Sequence, residues 1–328
     1  MNKDDFIKFK KVLPEIKENV FLKNYSSFKI GGLAKYFFIA KTKQDFVKAV
    51  KLAKKNNLRF FVLGGGSNLL ISDKGYNGLA IKYINSDFKS ANSVIKINAG
   101  ARLSELVDLA WKNSLSGMEW AITIPGTIGG AIKGNAGAFG SSMKDIVKSA
   151  TVLKISNSKF QTKILKNKDC KFDYRDSAFK RDKNLIILSA EIKLKKGDKQ
   201  EIKAKMKEYL DYRKKTQPLE FASIGSIFEN ADLSDIKFVS KFRKEMRNDA
   251  KLKLMFENNS VPAGYLIEKC GLKGKSIGDI QISKKHSNFI VNLGNGKAEQ
   301  VLDLIKIIKQ KVKQKFGVVL REEIQYLD

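Results

Sequence analysis

The sequence predicts an α+β protein with two domains, and three observations lead to that prediction. The chain has 328 residues, which is enough for about two domains with well-buried cores. Short apolar runs bounded by turn residues alternate with segments of helical periodicity. A charged segment of helical character, 199–215, lies between two strand-bearing regions. We therefore expect a first domain at 1–200 and a smaller second domain at 201–328.

The N-terminal region contains a helix with clear boundaries. Thr42 and Asp45 resemble a capping box, and Phe46, Val50 and Ala53 recur on one apolar face, which predicts a helix over 42–56. One more helix is predicted over 103–113. Apolar composition predicts further strands at 59–63, 69–71, 79–84, 94–99, 150–155 and 185–194.

The C-terminal region ends on the most strongly periodic segment. We expect a helix over 298–316, closed by Gly317, and a final strand over 318–326. Strands are also expected within 278–293, and a polar stretch runs from 231 to 260. The apolar face of the C-terminal helix consists of Val301, Leu304, Ile305, Ile308 and Val312.

Bulk composition narrows the function classes. No apolar run approaches the roughly 18–20 residues that a membrane helix needs, and the N-terminus lacks the apolar region of a secretory signal. Cys170 and Cys270 show no spacing typical of a metal site, so we expect two free thiols in a reducing compartment and no metal. These features favour a cytoplasmic protein.

The chain is strongly basic. Lysine and arginine number 63 against 34 acidic residues, for a net charge of +29. Such a balance is compatible with nucleic acid, an anionic membrane or an anionic small molecule. The lysines are spread along the whole chain, so we expect a diffuse solvated surface with no nucleic-acid partner and no membrane partner. A positive field would still attract substrates that carry several phosphates.

A first glycine segment lies between two apolar strands. Gly64, Gly65 and Gly66 permit backbone N–H groups to converge on an anion, and Ser67 and Asn68 add side chains suited to phosphate. A strand follows where the Rossmann fingerprint requires a helix, and no Gly-Lys-Ser/Thr sequence of a P-loop is present. A simple hairpin-like turn is the alternative interpretation.

A second glycine segment runs from Ile124 to Gly140. Unlike a flexible linker, it is apolar between its glycines. This composition suggests buried backbone pressed against something flat, such as a flavin and its pyrophosphate. Tight internal packing of the backbone is the alternative.

Seven ordered motifs resemble those of the UDP-N-acetylenolpyruvoylglucosamine reductase (MurB) family. The resemblance runs from about Asn24 to the end of the chain. It implies a PCMH-type FAD-binding domain followed by a smaller α+β substrate-binding domain, with noncovalent FAD and with NADPH as hydride donor. The motifs lie at Leu63–Leu70, Ile124–Gly140, Tyr174–Ser177, Gly225–Asn230, Ala263–Glu268, Lys285–Asn292 and Leu320–Ile324.

The resemblance also implies a reaction and its catalytic residues. The substrate would be a UDP-sugar enol ether with a carboxylate, reduced in a step of peptidoglycan synthesis that serves cell-wall biogenesis, cell shape, the cell cycle and division. Ser226 would supply the proton, since a hydroxyl can protonate a strongly basic enolate-like intermediate. Arg175 would clamp the carboxylate through its planar guanidinium. Glu323 matches the family's catalytic glutamate.

The binding residues follow from the same motifs. For the cofactor they are Gly64, Gly65, Gly66, Ser67, Asn68, Pro125, Gly126, Thr127, Gly129, Gly130, Asn135 and Gly137. For the substrate they are Tyr174, Asn230, Lys273 and His286. Lys273 is expected near the diphosphate.

The chain departs from the family pattern at three places. Glu229 replaces the usual lysine after the Gly-Ser-x-Phe sequence, which places a negative charge beside the expected diphosphate site. The stretch 231–260 is longer than is usual in the family. Glu322 stands where the closing motif usually has proline. The chain otherwise resembles the type II subgroup.

Two other function classes remain open from the sequence. One is another PCMH-type flavoprotein oxidoreductase that acts on a different substrate. Many of these attach FAD covalently to a histidine in the FAD domain, whereas the one histidine here, His286, lies in the second domain. The other is a basic nucleic-acid-binding protein, which the glycine segments disfavour. The oligomeric state is not predicted by the sequence.

Overall fold

The computed structural model describes residues 3–157, 159–232 and 260–328, and the chain forms two compact units. Unit 1 comprises Met1–Phe21, Leu33–Gly66 and Tyr76–Arg213. Unit 2 comprises Leu22–Gly32, Ser67–Gly75 and Lys214–Asp328. Unit 2 therefore takes in two short segments from the N-terminal third of the chain, which the predicted division at residue 200 assigns to the first domain.

The four helices that the sequence predicts are present at Lys43–Lys55, Leu103–Lys112, Lys199–Thr216 and Ala298–Phe316, and the other helices of the described ranges were not predicted. Thr42 caps the second helix by accepting a hydrogen bond at Oγ1 from the Asp45 N–H (3.1 Å). Gly317, at φ 73°, closes the last helix. None of the helices in the described ranges is long and apolar enough to cross a bilayer. The helices are α1 (Lys3–Val12), α2 (Lys43–Lys55), α3 (Leu103–Lys112), α4 (Ile128–Lys133), α5 (Met143–Ile146), α6 (Ala178–Arg181), α7 (Lys199–Thr216), α8 (Ala263–Lys269) and α9 (Ala298–Phe316).

Short strands make up most of the remaining regular structure. They are β1 (Lys17–Phe21), β2 (Leu33–Ala40), β3 (Phe60–Leu63), β4 (Leu69–Ile71), β5 (Tyr76–Tyr83), β6 (Phe88–Ala91), β7 (Val94–Asn98), β8 (Leu115–Ser116), β9 (Gly137–Ala138), β10 (Ser141–Ser142), β11 (Val147–Ser156), β12 (Lys159–Lys166), β13 (Leu185–Lys193), β14 (Lys195–Lys196), β15 (Ala222–Ser226), β16 (Ala231–Asp232), β17 (Ser260–Val261), β18 (Ser276–Ile277), β19 (Ile280–Ile282), β20 (Phe289–Asn292) and β21 (Gln325–Leu327).

Unit 1 contains two larger sheets. One has the strand order β1-β2-β5-β3, in which β5 pairs in parallel with both β2 and β3. The other is antiparallel, in the order β12-β11-β13-β7-β6. The buried face of α2, which includes Phe46 and Val50, and that of α3 pack into one apolar core with these sheets. The predicted α+β character is confirmed.

Unit 2 has its own apolar core. Its antiparallel sheet has the order β15-β20-β19-β18. The predicted apolar face of α9 is buried in this core, together with Ile280, Ile282 and Ile290 of the sheet. β21 pairs in parallel with β4, so the end of the chain is held by a strand from the N-terminal third.

Three expectations from the sequence need correction. The final strand is confined to Gln325–Leu327, because the preceding residues pair with a different segment at the isolated bridge between Phe228 and Glu322. The hairpin-like turn at Gly64–Asn68 is wrong, since β3 pairs with β5 and β4 pairs with β21. The second glycine segment contains the helix α4, which composition did not indicate.

The polar stretch 231–260 is described only at its two ends. Ala231 pairs with Val261, and Asp232 pairs with Ser260, in an antiparallel ladder. Residues 233–259, which make up most of this stretch, lie outside the described residues.

Candidate active site

The two glycine segments touch each other in unit 1. A Cβ atom added to Gly64 would lie 2.6 Å from Thr127 Oγ1, and one added to Gly65 would lie 2.6 Å from the Gly126 Cα atom. Because atoms never approach so closely in real side-chain contacts, residues with side chains cannot occupy these positions without displacing the neighbour. The two segments predicted to bind the cofactor therefore form one continuous backbone surface.

The backbone of this surface adopts conformations that glycine permits. Gly66 has φ 65° and Gly126 has φ 129°, both in the region that favours glycine. The Gly129 N–H donates to the Ala99 carbonyl (2.9 Å), and Thr127 Oγ1 accepts from the Gly130 N–H (3.4 Å). The segments are thus fixed by local hydrogen bonds. A wall of backbone with almost no side-chain bulk fits a flat cofactor and its pyrophosphate.

Lys82 is a residue of this region that the sequence analysis missed. Its Nζ donates to the Gly64 carbonyl at 3.1 Å. Burial lowers the pKa of Lys82, and the nearby positive charge of Arg102 lowers it further. The two cations beside the first glycine segment suit an anionic ligand. A lysine directly after the apolar run Leu79–Ile81 of β5 was the signal that could have identified it.

Asn135 and Gly137 have structural contacts in unit 1. Buried Asn135 donates from Nδ2 to the Asp173 carbonyl (2.7 Å) and accepts at Oδ1 from the Lys144 N–H (2.9 Å). A Cβ atom on Gly137 would lie 2.6 Å from the Ser141 carbonyl oxygen, on the neighbouring strand. Asn135 therefore ties the second glycine segment to the loop that carries Tyr174 and Arg175.

Arg175 lies in a tight loop of unit 1. Its φ of 52° is unusual for a residue with a long side chain. The bridge between Asp173 and Asp176 closes the loop, and the guanidinium lies 5.6 Å from the centroid of the Tyr174 ring. Such local strain is found most often at functional sites.

Arg213 adds a second guanidinium to this part of unit 1. It is 9% exposed and lies over the Phe139 ring at 5.5 Å. Burial lowers the pKa of Arg213, and the positive charge of Arg175 contributes in the same direction. The two arginines are close enough to interact and together favour a negatively charged group. Arg213 could not be predicted from the sequence, because one arginine in the charged helix α7 has no distinguishing pattern.

Ser226 and Glu323 are brought together within unit 2. The Glu323 N–H donates to the Ile227 carbonyl (2.9 Å), next to Ser226. The Glu229 N–H donates to the Arg321 carbonyl (2.9 Å), so this pairing continues on both sides of the bridge between Phe228 and Glu322. Two predicted catalytic residues that are far apart in sequence thus lie on adjacent extended segments.

Asn68 also contacts the Glu323 backbone. Its Nδ2 donates to the Glu323 carbonyl at 3.1 Å, and its own carbonyl accepts from the Gln325 N–H at 3.1 Å. The side chain predicted to contact the cofactor phosphate therefore holds the chain at Glu323. Its role toward the cofactor stays a prediction, as do the roles of Ser67 and Pro125.

His286 is connected to the Ser226 region through Asn288. The Asn288 N–H donates to His286 Nδ1 (3.3 Å), and the Asn288 side chain bonds both the N–H and the carbonyl of Phe228 (3.0 and 2.8 Å). Burial lowers the pKa of His286, which favours the neutral ring that this hydrogen bond requires. Asn288 lies in a motif that the sequence analysis quoted, but its bridging role was not predicted.

Lys273 and Asn230 occupy the same unit. Lys273 Nζ lies 3.4 Å from Glu268 Oε1 of α8, in a partly exposed ion pair. Asn230 immediately precedes β16, at the start of the 231–260 stretch. All the predicted substrate-binding residues except Tyr174 therefore belong to unit 2.

Comparison with known proteins identifies both parts of the chain. Residues 217–327 match the model of the UDP-N-acetylenolpyruvoylglucosamine reductase C-terminal domain, and residues 34–162 match an FAD-binding domain. The UDP-N-acetylenolpyruvoylglucosamine reductase of Caldanaerobacter subterraneus is 39% identical over 97% of this chain and 96% of its own length. The chain belongs to the UDP-N-acetylenolpyruvoylglucosamine reductase family. The predicted PCMH-type fold class is confirmed with it.

Further members of the reductase family support the assignment. The Clostridioides difficile reductase is 35% identical over 99% of this chain and 98% of its own length. The crystal structure of the reductase from Thermus caldophilus matches with a TM-score of 0.73 at 30% identity, and it covers 95% of this chain and all of that one. The FAD-binding match contains both glycine segments, and the C-terminal match contains Ser226, Lys273, His286 and Glu323.

Proposed function

We propose that this chain reduces UDP-N-acetylglucosamine enolpyruvate to UDP-N-acetylmuramate, with FAD as cofactor and NADPH as hydride donor. The observation that carries the proposal is the pairing of the Ser226 segment with the Glu323 segment, inside a domain that matches the reductase family. Membership of the reductase family also favours this function over that of a flavoprotein oxidase or a nucleic-acid-binding protein.

The reaction defines what the residues must do. FAD, when bound, supplies a hydride carrier between NADPH and the substrate. The terminal methylene carbon of the enolpyruvyl group gains a hydride, and the carbon beside the carboxylate gains a proton. Negative charge must delocalise onto the carboxylate between these events, so the site needs cations there and one positioned acid.

Arg175 is our carboxylate-binding residue. A guanidinium can donate two parallel hydrogen bonds to a carboxylate, and it stays charged at every relevant pH. Arg213 lies close enough to influence it, which raises the positive potential in this part of unit 1. Both features favour charge build-up on the substrate carboxylate during reduction.

We assign Ser226 as the proton donor and Glu323 as the carboxyl group that assists it. Gly225, at φ 79°, turns the chain immediately before Ser226, and the Ile227 carbonyl fixes the Glu323 backbone next to it. Ser226 would give its proton to the carbon beside the carboxylate. Glu323 would orient or replenish that proton, because a carboxyl group can exchange protons with a hydroxyl within hydrogen-bond reach.

We propose that FAD binds the backbone surface formed by Gly64–Gly65 and Gly126–Thr127 in unit 1, which we call the glycine surface. The absence of side chains at Gly64 and Gly65 lets this segment pack closely against Gly126–Thr127, so that the two segments can offer the cofactor one joined backbone surface, and Lys82 and Arg102 provide positive charge beside it. No histidine lies in unit 1, where such a cofactor could be attached covalently. We therefore propose noncovalent FAD.

Substrate recognition would draw on Tyr174, Asn230, Lys273 and His286. Lys273 would meet the diphosphate, and neutral His286, whose Nδ1 accepts from the Asn288 N–H, can donate a hydrogen bond from Nε2. Glu229, in place of the usual lysine, removes one cation from this region. The net charge of +29 would compensate by attracting the doubly phosphorylated substrate.

We place this activity in the cytoplasm, as a step of peptidoglycan precursor synthesis that supports wall growth and division. Buried Cys170 and partly buried Cys270 are both free, which fits a reducing compartment.

Spectroscopy and turnover test the proposal together. The purified protein should show a flavin absorbance spectrum, and denaturation should release FAD into the filtrate. NADPH oxidation should depend on the enolpyruvyl UDP-sugar. A protein that neither contains nor takes up FAD, or that oxidises NADPH equally well without the sugar nucleotide, would contradict the proposal.

A further inference from the structure

Glu322 has a hydrogen-bonded environment that the usual proline of the closing motif could not form. Lys309 Nζ, on α9, lies 2.7 Å from Glu322 Oε1. The Tyr326 hydroxyl donates to Glu322 Oε2 at 2.6 Å. One carboxylate thus joins the long C-terminal helix to the last strand of the chain. We call Lys309, Glu322 and Tyr326 the Glu322 triad.

The Glu322 triad has the features of a strong interaction. The side chains of Glu322 and Lys309 are 21% and 38% exposed, so water screens them less than a surface ion pair. Partial burial favours the neutral acid, yet the hydrogen bonds from Lys309 and Tyr326 outweigh it and hold the pKa of Glu322 below its usual value. Charge-assisted bonds of this kind restrict geometry as well as contributing energy.

The 321–323 segment pairs with the Ser226 segment through backbone groups, so the Glu322 side chain is free to bond Lys309 and Tyr326. The hydrogen bonds between the segments use the N–H groups of Glu229 and Glu323, and the N–H of Glu322 takes no part in them. Successive side chains of an extended segment point to opposite faces. The bonds of the Glu322 side chain to Lys309 and Tyr326 therefore tie the segment that carries Glu323 to α9 and to the last strand.

We propose that the Glu322 triad is a positioning device that holds the segment carrying Glu323 in its pairing with the Ser226 segment, in place of the rigidity that proline gives the motif elsewhere in the family. The proposal rests on the catalytic role proposed for Glu323. The Glu323 backbone is held on both sides, by the Ile227 carbonyl and by Asn68 Nδ2. The triad adds a side-chain restraint to these backbone contacts, because it bonds the adjacent residue Glu322 to α9 and to Tyr326.

Half-reaction kinetics test the triad. Glu322→Ala should slow reoxidation of the reduced flavin by the sugar nucleotide by about tenfold, since small misplacements of a catalytic group cost one to two orders of magnitude. Tyr326→Phe, which removes a single oxygen atom, should slow the same step by a smaller factor. Flavin reduction by NADPH and the dissociation constant for FAD should stay at the wild-type values, because neither depends on Glu323.

Glu322→Pro distinguishes positioning from simple loss of stability. Proline needs no N–H at this position, so this variant should recover reoxidation to within about threefold of wild type although the ion pair with Lys309 is absent. Glu299→Gln is the matched control, because it removes an exposed carboxylate that pairs with Lys297. It should leave both half-reactions unchanged.

The outcomes separate the triad from the proposed function. Wild-type reoxidation in folded Glu322→Ala and Tyr326→Phe, combined with slow reoxidation in Glu323→Gln, would overturn the triad and keep Glu323. Wild-type reoxidation in Glu323→Gln would instead overturn the role proposed for Glu323. Reoxidation in Glu322→Pro as slow as in Glu322→Ala would overturn the positioning mechanism.

Discussion

The glycine surface of unit 1 and the Ser226–Glu323 region of unit 2 are built in opposite ways. At the glycine surface, function depends on side chains that are missing: a single Cβ atom at Gly64 or Gly65 would collide with the facing segment. At the Ser226–Glu323 region, function depends on particular side chains that sequence-distant segments hold in register.

This difference determines what each region tolerates. The glycine surface is restricted by volume, so any larger residue disturbs it regardless of its chemistry. The Ser226–Glu323 region is restricted by register and chemistry, since a slip of one residue would turn each side chain to the opposite face. Substitutions in the two regions should therefore affect different steps.

The largest expected effect concerns Ser226. Ser226→Ala should slow flavin reoxidation by the enolpyruvyl UDP-sugar by about 10²–10⁴-fold, because a positioned acid is lost. Flavin reduction by NADPH needs no external acid and should stay near the wild-type rate. Stopped-flow absorbance of the flavin measures the two steps separately.

Two further variants of the same strand complete the Ser226 test. Ser226→Cys should recover part of the rate, because a thiol also donates a proton. Ser223→Ala, on the same strand β15, should behave as wild type. Equal reoxidation rates in Ser226→Ala and wild type would show that the proton comes from another group.

Substitutions in the glycine surface should instead weaken the binding of FAD. Gly65→Ala places a Cβ atom 2.6 Å from the Gly126 Cα. The backbone at this contact can move apart only at a cost in free energy. Overpacking of this kind costs about 1–3 kcal/mol, so we expect FAD to bind at least several-fold more weakly.

Fluorescence titration of the apoprotein with FAD measures this loss. Gly134→Ala is the control, because its Cβ atom would make an ordinary contact at 3.6 Å with the Gly130 carbonyl. If Gly65→Ala binds FAD as tightly as Gly134→Ala does, the close approach of the two glycine segments does not shape the cofactor site.

A smaller effect is expected from pH at His286. Its pKa is lowered in the folded protein, so the unfolded chain binds more protons between the folded value and the ordinary value of 6.5. Stability should therefore fall as the pH decreases through this window, and the hydrogen bond from the Asn288 N–H to Nδ1 should be lost on protonation.

Urea unfolding at about pH 5 and about pH 7.5 measures the contribution of His286. In His286→Gln the difference in unfolding free energy between the two pH values should shrink. NMR titration of the single imidazole should give a pKa below 6.5. A midpoint at or above 6.5 would contradict the burial that the structure shows.

The smallest expected effect concerns the 231–260 stretch. Ala231 and Asp232 pair with Val261 and Ser260, so its two ends already meet. We expect that Asn-Gly in place of residues 233–259 would close a two-residue hairpin and leave kcat within about tenfold. Loss of turnover in a folded variant would show that this stretch contributes to the site.

Local patterns were sufficient for the elements whose residues interact with near neighbours. The helix α9 has the predicted bounds because its apolar period and Gly317 act within the helix itself. The final strand was overpredicted because its partner changes from Phe228 at Glu322 to β4 at Gln325. Apolar composition does not show which segment a strand will pair with.

Some features of the candidate site could be predicted from the sequence and others could not. The glycine segments were recognisable because a lack of side chains is visible in the sequence, and the ordered motifs identified the family. No sequence pattern indicated that Asn68 bonds the Glu323 backbone, that Asn288 links His286 to Phe228, or that Lys82 bonds the Gly64 carbonyl.

The residue types on which the chemistry depends, the α+β class and the basic charge can be read directly from the sequence. Which of those residues meet depends on the folded chain. Pairing of the 227–229 segment with 321–323, and of β4 with β21, joins residues through backbone hydrogen bonds whose partners are set by the packing of the core around them. A backbone N–H is the same at nearly every position, so no residue type records its partner.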